Sequence, residues 1–144
     1  MPQPRYDATL NQFVYPDPTG AQQLRVRVTL AQLNAGLTLL PAVPGFAYRL
    51  INAVLIAVGG AVTAATDVRI LGTRAAGSVA LVVAAIAGLT QSALVESGDA
   101  TAVVLADGAS FTPLDANTAI TIAKTGSAAA TATAVDVLLT YALE

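Results

Sequence analysis

The sequence predicts an all-β chain, a single β-sandwich domain that is jelly-roll-like and follows an extended N-terminal arm. About eight short runs of aliphatic and β-branched residues are separated by turns rich in Gly, Pro, Asn and Asp, which is the pattern of sandwiches and barrels. Several runs alternate apolar and polar residues with the period of a strand. The length of 144 residues suits one domain with a core of its own.

The N-terminal segment, residues 1–22, differs in composition from the rest. It holds four of the seven prolines and three of the seven aromatic residues. Because proline cannot donate to a sheet ladder and favours extended backbone, this segment is a poor core element. Its aromatic residues predict an arm that becomes ordered on a neighbouring subunit through Tyr6, Phe13 and Tyr15. An unordered terminus is the alternative, and residues 23–144 are the predicted sandwich.

The first predicted strand of the sandwich is LRVRVTL, residues 24–30. Its alternation places Arg25 and Arg27 on one face and aliphatic residues on the other. Thr29 and Gln32 then predict a short capped helical turn that ends near Gly36. Prolines 41 and 44 mark a turn before the next strand.

Residues 49–71, RLINAVLIAVGGAVTAATDVRIL, carry one charge at their start and two near their end. Their length approaches the 20 or so apolar residues of a membrane helix. However, Asn52 and the Gly59–Gly60 pair interrupt the run, and no Lys/Arg cluster or aromatic belt flanks it. Paired glycines between apolar runs predict a hairpin of two strands. The first of these strands is apolar on both faces, as expected inside a sandwich or at a subunit contact.

Further strands are predicted at residues 78–83, 93–96, 101–105, 118–124 and 131–143. The last has the clearest alternation, with one face formed by Val135, Val137, Leu139, Tyr141 and Leu143. Residues 84–91 fit either a helical turn or a loop that crosses between sheets.

Composition excludes several classes of function. Cysteine and histidine are absent, which excludes disulfides, the usual Cys/His zinc sites and catalysis by thiol or imidazole. The net charge is −2 without a basic cluster, so a nucleic-acid partner is not expected. Hydrophobic residues make up 55% and charged residues 11%, against about 25% charged in ordinary domains. Part of this apolar surface is expected to lie against sister copies, another protein or lipid.

Two motifs that could suggest chemistry are better explained as turns. GTRAAGSV, residues 72–79, has the two glycines of a phosphate-binding loop but lacks its lysine. Asp99, Asp107 and Asp115 match no calcium-loop spacing, and the aromatic groove of a polysaccharide hydrolase is missing. We therefore expect no enzyme, no catalytic residue, no metal site and no cofactor.

The arginines suggest contact with a partner. Arg25, Arg27 and Arg69 stand within apolar strand patterns, and the chain has a single lysine. Arginine is favoured over lysine at interfaces because its planar guanidinium is weakly hydrated and binds carboxylates in pairs of hydrogen bonds. These three residues are predicted to bind a partner; solvated strand faces are the alternative.

Two long runs carry a resemblance to a known group of proteins. VTLAQLNAGLTLLPAVPGFAYRLINAVLIAVGGAVTAATDVRILGT and the ending ITIAKTGS…ATAVDVLLTYALE resemble structural proteins of tailed-bacteriophage virions, over most of residues 28–144. The size, the leading arm and the compact β domain are most similar to capsid decoration, or cement, proteins. The likeness lies in the succession of strands and turns and includes no catalytic motif.

The resemblance implies a non-enzymatic protein located on the outer surface of the viral head. It implies a homotrimer that clamps neighbouring capsomers by binding the major capsid protein. The sequence of the arm departs from the resemblance, and we expect it to bind the major capsid protein or an adjacent decoration subunit through Tyr6, Phe13 and Tyr15. Two alternatives stay open. One is another virion component, such as a head-fibre base, a tail or baseplate protein, or a receptor-binding module; the other is a small membrane protein.

Overall fold

The structure is a computed structural model that describes residues 5–7, 12–14 and 20–144, with the backbone alone at 5–7, 12–14 and 106–108. Strands dominate these residues. In chain order the elements are β1 (Arg5–Asp7), β2 (Gln12–Val14), β3 (Gln22–Thr29), α1 (Leu30–Ala35), β4 (Leu37–Leu40), β5 (Tyr48–Val58), β6 (Val62–Arg74), β7 (Gly77–Ala85), a 3₁₀ turn (Ile86–Gly88), β8 (Leu94–Glu96), β9 (Ala102–Val104), a second 3₁₀ turn (Ala106–Phe111), β10 (Ile120–Thr131) and β11 (Ala134–Leu143).

Two antiparallel sheets form the body of the protein. One has five strands in the order β4-β10-β6-β7-β9, and the other has four in the order β3-β11-β5-β8. Inward side chains of both sheets, among them Leu55, Ile70 and Val137, belong to one buried cluster. The predicted all-β sandwich is confirmed.

The strands form four antiparallel pairs that are nested in the chain. The innermost pair is β6–β7, and β5–β8, β4–β10 and β3–β11 follow outward in sequence. Successive pairs alternate between the two sheets, and β9 is added beside β7 at one edge. The first and last strands of the sandwich therefore lie side by side, although the chain separates them by the whole domain.

The predicted hairpin over residues 49–71 is wrong. β5 and β6 lie in different sheets, so Gly59 and Gly60 turn the chain across the core. Both glycines have positive φ, +74° and +133°, and the amide of Val62 donates to Leu89 at 2.9 Å instead of pairing back onto β5. A Gly-Gly pair indicates a turn, but the direction of the turn depends on which faces of the two strands must be buried.

The short helix α1 agrees with the prediction. Its cap, Thr29, accepts a hydrogen bond from the amide of Gln32, whose side chain accepts one from the amide of Thr29. Such a capping box satisfies two amides that the first turn leaves unpaired. Gly36, with φ +81°, ends the helix. Among the described residues, no helix combines the length and apolar composition that crossing a bilayer requires.

The alternation predicted for the last strand is confirmed, since Tyr141 and Leu143 pack against the core on the same side as Leu139. The register between β11 and β5 shifts between Thr140 and Tyr141 because β5 has one extra residue there, Ile51. The ring of Tyr141 packs edge to face against Tyr48, with the ring centroids 5.6 Å apart.

The N-terminal segment contains a small sheet of its own. β1 and β2 pair antiparallel, with Tyr6 opposite Phe13 in the register. Tyr15 lies outside the described residues. β3 already begins at Gln22. The division into an arm at 1–22 and a sandwich at 23–144 stays a prediction.

Candidate functional site

The outward side of the four-stranded sheet, here the four-strand face, combines aliphatic and charged residues. Because side chains alternate along a strand, residues paired across the ladders share a face. The pairing produces two parallel rows across β3, β11, β5 and β8. One row is Arg25–Leu138–Val54–Glu96, and the other is Arg27–Asp136–Ile56–Leu94.

A groove of about 350 Å³ runs along this face. Its lining includes Arg25, Val54, Ile56, Leu94, Asp136 and Leu138, all of which belong to the four strands. Leu94 is 69% exposed. Large side chains of this kind are commonly buried in soluble domains. A groove of aliphatic side chains edged by charges is the composition expected of a protein contact.

Arg27 and Asp136 form a forked ion pair on this face. The guanidinium donates from Nε to Oδ1 at 2.7 Å and from Nη2 to Oδ2 at 2.9 Å. Hydrogen bonding from Arg27 holds the pKa of Asp136 below its ordinary value, with a smaller contribution from the charge of Arg25. The fork makes this part of the face neutral in net charge.

Two further charges of the face, Arg25 and Glu96, stand at opposite ends of one row. Arg25 makes no ion pair within the described residues. The carboxylate of Glu96 accepts a hydrogen bond from Nδ2 of Asn52 at 2.7 Å. Asn52 in turn accepts one from the hydroxyl of Ser97. Glu96 is thus held in place at the edge strand β8.

The outward side of the five-stranded sheet, here the five-strand face, has a similar composition. Its central row is Ala123–Arg69–Val83–Val103, across β10, β6, β7 and β9. The rows beside it are Thr125–Asp67–Ala85 and Thr121–Leu71–Ala80. Val103 is 61% exposed. Aliphatic side chains therefore point outward from both sides of the sandwich.

A second forked ion pair, Asp67–Arg69, lies on the five-strand face. Two residues apart on β6, the side chains share a face, and Nε and Nη2 donate to the two carboxylate oxygens at 2.8 and 3.0 Å. The hydroxyl of Thr125 adds a hydrogen bond to Oδ1 at 2.7 Å. The bonds from Arg69 are the main reason that the pKa of Asp67 is lowered, and partial burial opposes them.

The structure divides the predicted partner-binding residues between surfaces. Arg25 and Arg27 share the four-strand face, whereas Arg69 lies on the opposite side of the sandwich. Sequence reasoning missed Asp136, which forms the fork with Arg27, and the exposed Leu94 and Val103. The signal for such a face was present in β5, whose sequence is apolar on both sides.

The loop aspartates act as turn residues. Asp99 accepts a hydrogen bond from the amide of Glu96, three residues earlier, at 2.8 Å. Asp115 accepts from the amides of Ala75 and Ala76 at 3.1 and 2.8 Å, and so braces the turn between β6 and β7. The side chain of Asp107 lies outside the described part. Within the part of the chain that the structure describes, no group of acidic residues is placed to hold a metal ion.

Comparison with protein-family models, curated proteins and solved structures gives no match.

Proposed function

We propose that this chain is a non-enzymatic capsid decoration protein of a tailed bacteriophage. It binds the outer surface of the head as a homo-oligomer and stabilises the shell by bridging capsid subunits. The observation that carries the proposal is the outward aliphatic surface on both sheets, each with an Arg–Asp fork. With a contact surface on each side, one copy can bind a sister copy and the shell at the same time.

The chemistry of the two faces supports a role in assembly. Burying Leu94 and Val103 at a contact is favourable by roughly 25 cal/mol for each Å² of apolar surface removed from water. In each fork the arginine and the aspartate are already paired with each other, so a partner can cover both side chains without leaving a charge unpaired. Pairing of this kind is the condition for burying charge. We assign the four-strand face to sister copies and the five-strand face to the shell.

The strand order supports a jelly-roll-like interpretation of the sandwich. Eight strands, β3 to β8 with β10 and β11, form four nested pairs divided between two sheets. Jelly rolls have eight strands in two sheets, and they occur in viral capsid domains as well as in lectins and cupins. Because one fold serves many functions, this order is compatible with a capsid role and does not select it.

The N-terminal arm is proposed as a second contact with the major capsid protein, through Tyr6, Phe13 and Tyr15. Aromatic side chains are common anchors at interfaces because they bury a large area with few rotatable bonds. The homotrimer implied by the resemblance stays a prediction, as does the location on the virion surface.

Binding to capsid shells tests the proposal. The purified chain is mixed with shells assembled from the major capsid protein of the same virus, and co-sedimentation is measured. We expect V103D to lower shell affinity at least tenfold, because it places a charge on the five-strand face. A100D is the matched control, since it adds the same charge at an exposed loop position nearby. If the wild-type chain does not bind, or if V103D and A100D bind equally, the proposal is wrong.

A receptor-binding or tail component is the second candidate. Phe46 and Phe111 are 45% and 38% exposed. Their loops are joined by hydrogen bonds, from the amide of Leu114 to Tyr48 and from the amide of Asn117 to Phe46. Exposed aromatic side chains on neighbouring loops suit the binding of a receptor. Electron microscopy of particles that carry a labelled copy separates the two candidates, because the label lies on the head in one case and on the tail in the other.

A further inference from the structure

We propose that the four-strand face is a two-fold contact between two copies of this chain, with Arg25 of each copy bound to Glu96 of the other. The inference deepens the homo-oligomer part of the proposed function and rests on that part alone. It is independent of whether the shell is the second partner.

The row Arg25–Leu138–Val54–Glu96 carries the argument. It has a cation at one end, two aliphatic residues in the middle and an anion at the other end. Consider a second sheet packed face to face, related by a two-fold axis that lies between the sheets and parallel to the strands. This operation reverses the row, so each cation meets an anion and the aliphatic residues meet each other.

The local charges favour this arrangement. Among the side chains that the structure describes, no carboxylate is bound to Arg25, and Glu96 is bound by an amide but by no cation. In the dimer each gains an ionic partner. Arg27 and Asp136 are already paired with each other at 2.7 Å. The second copy can therefore cover them with Ile56 and Leu94 without leaving a charge unpaired.

The size of the face is also suitable. β3, β11, β5 and β8 have 8, 10, 11 and 3 residues, and strands of these lengths, about 4.8 Å apart, cover on the order of 500 Å² before side-chain relief is added. A stable interface buries about 800 Å² on each partner. Sheets that pack face to face keep their strands within about 30° of each other, which agrees with an axis along the strands.

A three-fold ring would use the face differently. In a ring, each contact joins two different surfaces of the chain. The reversal that pairs Arg25 with Glu96 is then lost. The proposal therefore predicts a dimer as the unit of self-association, in contrast to the trimer that the resemblance implies.

Charge reversal provides the test. The full chain is studied without shells by light scattering and analytical ultracentrifugation, and circular dichroism checks that each variant is folded. We expect wild type to be a dimer. R25E and E96R, each alone, should weaken dimerisation at least tenfold because like charges then meet at both ends of the row. An equimolar mixture of R25E and E96R should recover dimers to within about threefold of wild type, because opposite charges meet again at both ends. The double variant R25E/E96R should recover dimers in the same way.

L94D should weaken dimerisation without a rescue by either charge variant. A wild-type monomer or trimer would overturn the two-fold contact, and so would single variants that dimerise normally or a mixture that stays monomeric. The shell-binding assay with V103D is separate, so a failure of the dimer leaves the decoration proposal to be judged by its own result.

Discussion

Arg27 and Asp136 are 109 residues apart in the chain and directly opposite each other on β3 and β11, joined by two hydrogen bonds of 2.7 and 2.9 Å. Their pairing depends on the register of the first strand against the last. A shift of one residue would turn Arg27 into the core. The fork therefore marks the correct closure of the sandwich and also neutralises its outer face.

Stability should fall in acid because of the two forks. The arginine partners lower the pKa of Asp67 and of Asp136 relative to the unfolded chain, where an aspartate titrates near 3.8. The unfolded state then binds protons first as the pH decreases. The contribution of the forks is thus complete above the unfolded pKa and is lost as the pH falls through the lowered folded values.

Urea unfolding between pH 7 and pH 2 measures this loss. The D67N/D136N variant should be less stable than wild type at pH 7, and the difference should shrink below about pH 4. A difference that stays constant down to pH 2 would show that the forks do not contribute in this way.

Neighbouring residues of similar size on β6 should respond very differently to truncation. Ile70 is fully buried between the sheets, whereas Leu71 is partly exposed on the five-strand face. We expect I70A to lower the free energy of unfolding by about 2–5 kcal/mol, because it leaves a cavity in the core. L71A, the matched control, should cost about 1 kcal/mol or less. Equal losses in chemical denaturation would contradict the assignment of the two faces.

The turn between β6 and β7 stores backbone strain. Ala75 and Ala76 have φ of +51° and +60°, a region that disfavours any residue with a Cβ. We expect A76G to raise the free energy of unfolding by about 0.5–1 kcal/mol, since glycine adopts this conformation without the clash. A128G, at an exposed strand position without positive φ, should lower it instead.

The carboxylate of Asp115 should matter for the same turn. It accepts hydrogen bonds from both turn amides, so D115A is expected to lower the free energy of unfolding by about 1 kcal/mol.

The melting temperature checks the two glycine variants. If A76G and A128G shift it in the same direction, strain at the turn is not the cause.

The arm is expected to act in shell binding and not in the stability of the sandwich. Replacement of Tyr6, Phe13 and Tyr15 by alanine should lower affinity for shells at least tenfold, because aromatic anchors contribute most to binding. The melting temperature should stay within about 2 °C of wild type. Unchanged shell binding would remove the arm from the proposed contact.

Much of the fold could be predicted from the sequence because strand alternation and turn residues are local signals. The capping box at Thr29 and Gln32 and the alternation along Val135, Val137 and Leu139 depend on neighbours a few residues away. The choice of sheet for β5 and β6 is not a local property. It depends on β11 and β10, which pair with them from about 50 or more residues away.

Only part of the two candidate surfaces could be predicted from the sequence, for the same reason. Arg25, Arg27 and Arg69 stood out by their residue type, and β5 by its two apolar sides. The carboxylate that pairs with Arg27 becomes apparent only with the register, because Asp136 lies on the last strand. The partner of Arg69 is a local signal, since Asp67 is two residues away on the same strand. The exposed side chains of Leu94 and Val103 depend on the position of two three-residue strands at sheet edges.

The nested order of the strand pairs has a consequence for the kinetics of folding. Of the four nested strand pairs, only β6–β7 is joined by a tight turn, and each pair outside it closes a longer loop, ending with β3 against β11. Closing long loops costs chain entropy before any contact repays it, and sandwiches of this kind fold in milliseconds to seconds. The chain should therefore fold outward from β6 and β7. The edges of β3 and β11 pair last, so they are exposed to incorrect pairing with other chains for longest during synthesis and folding.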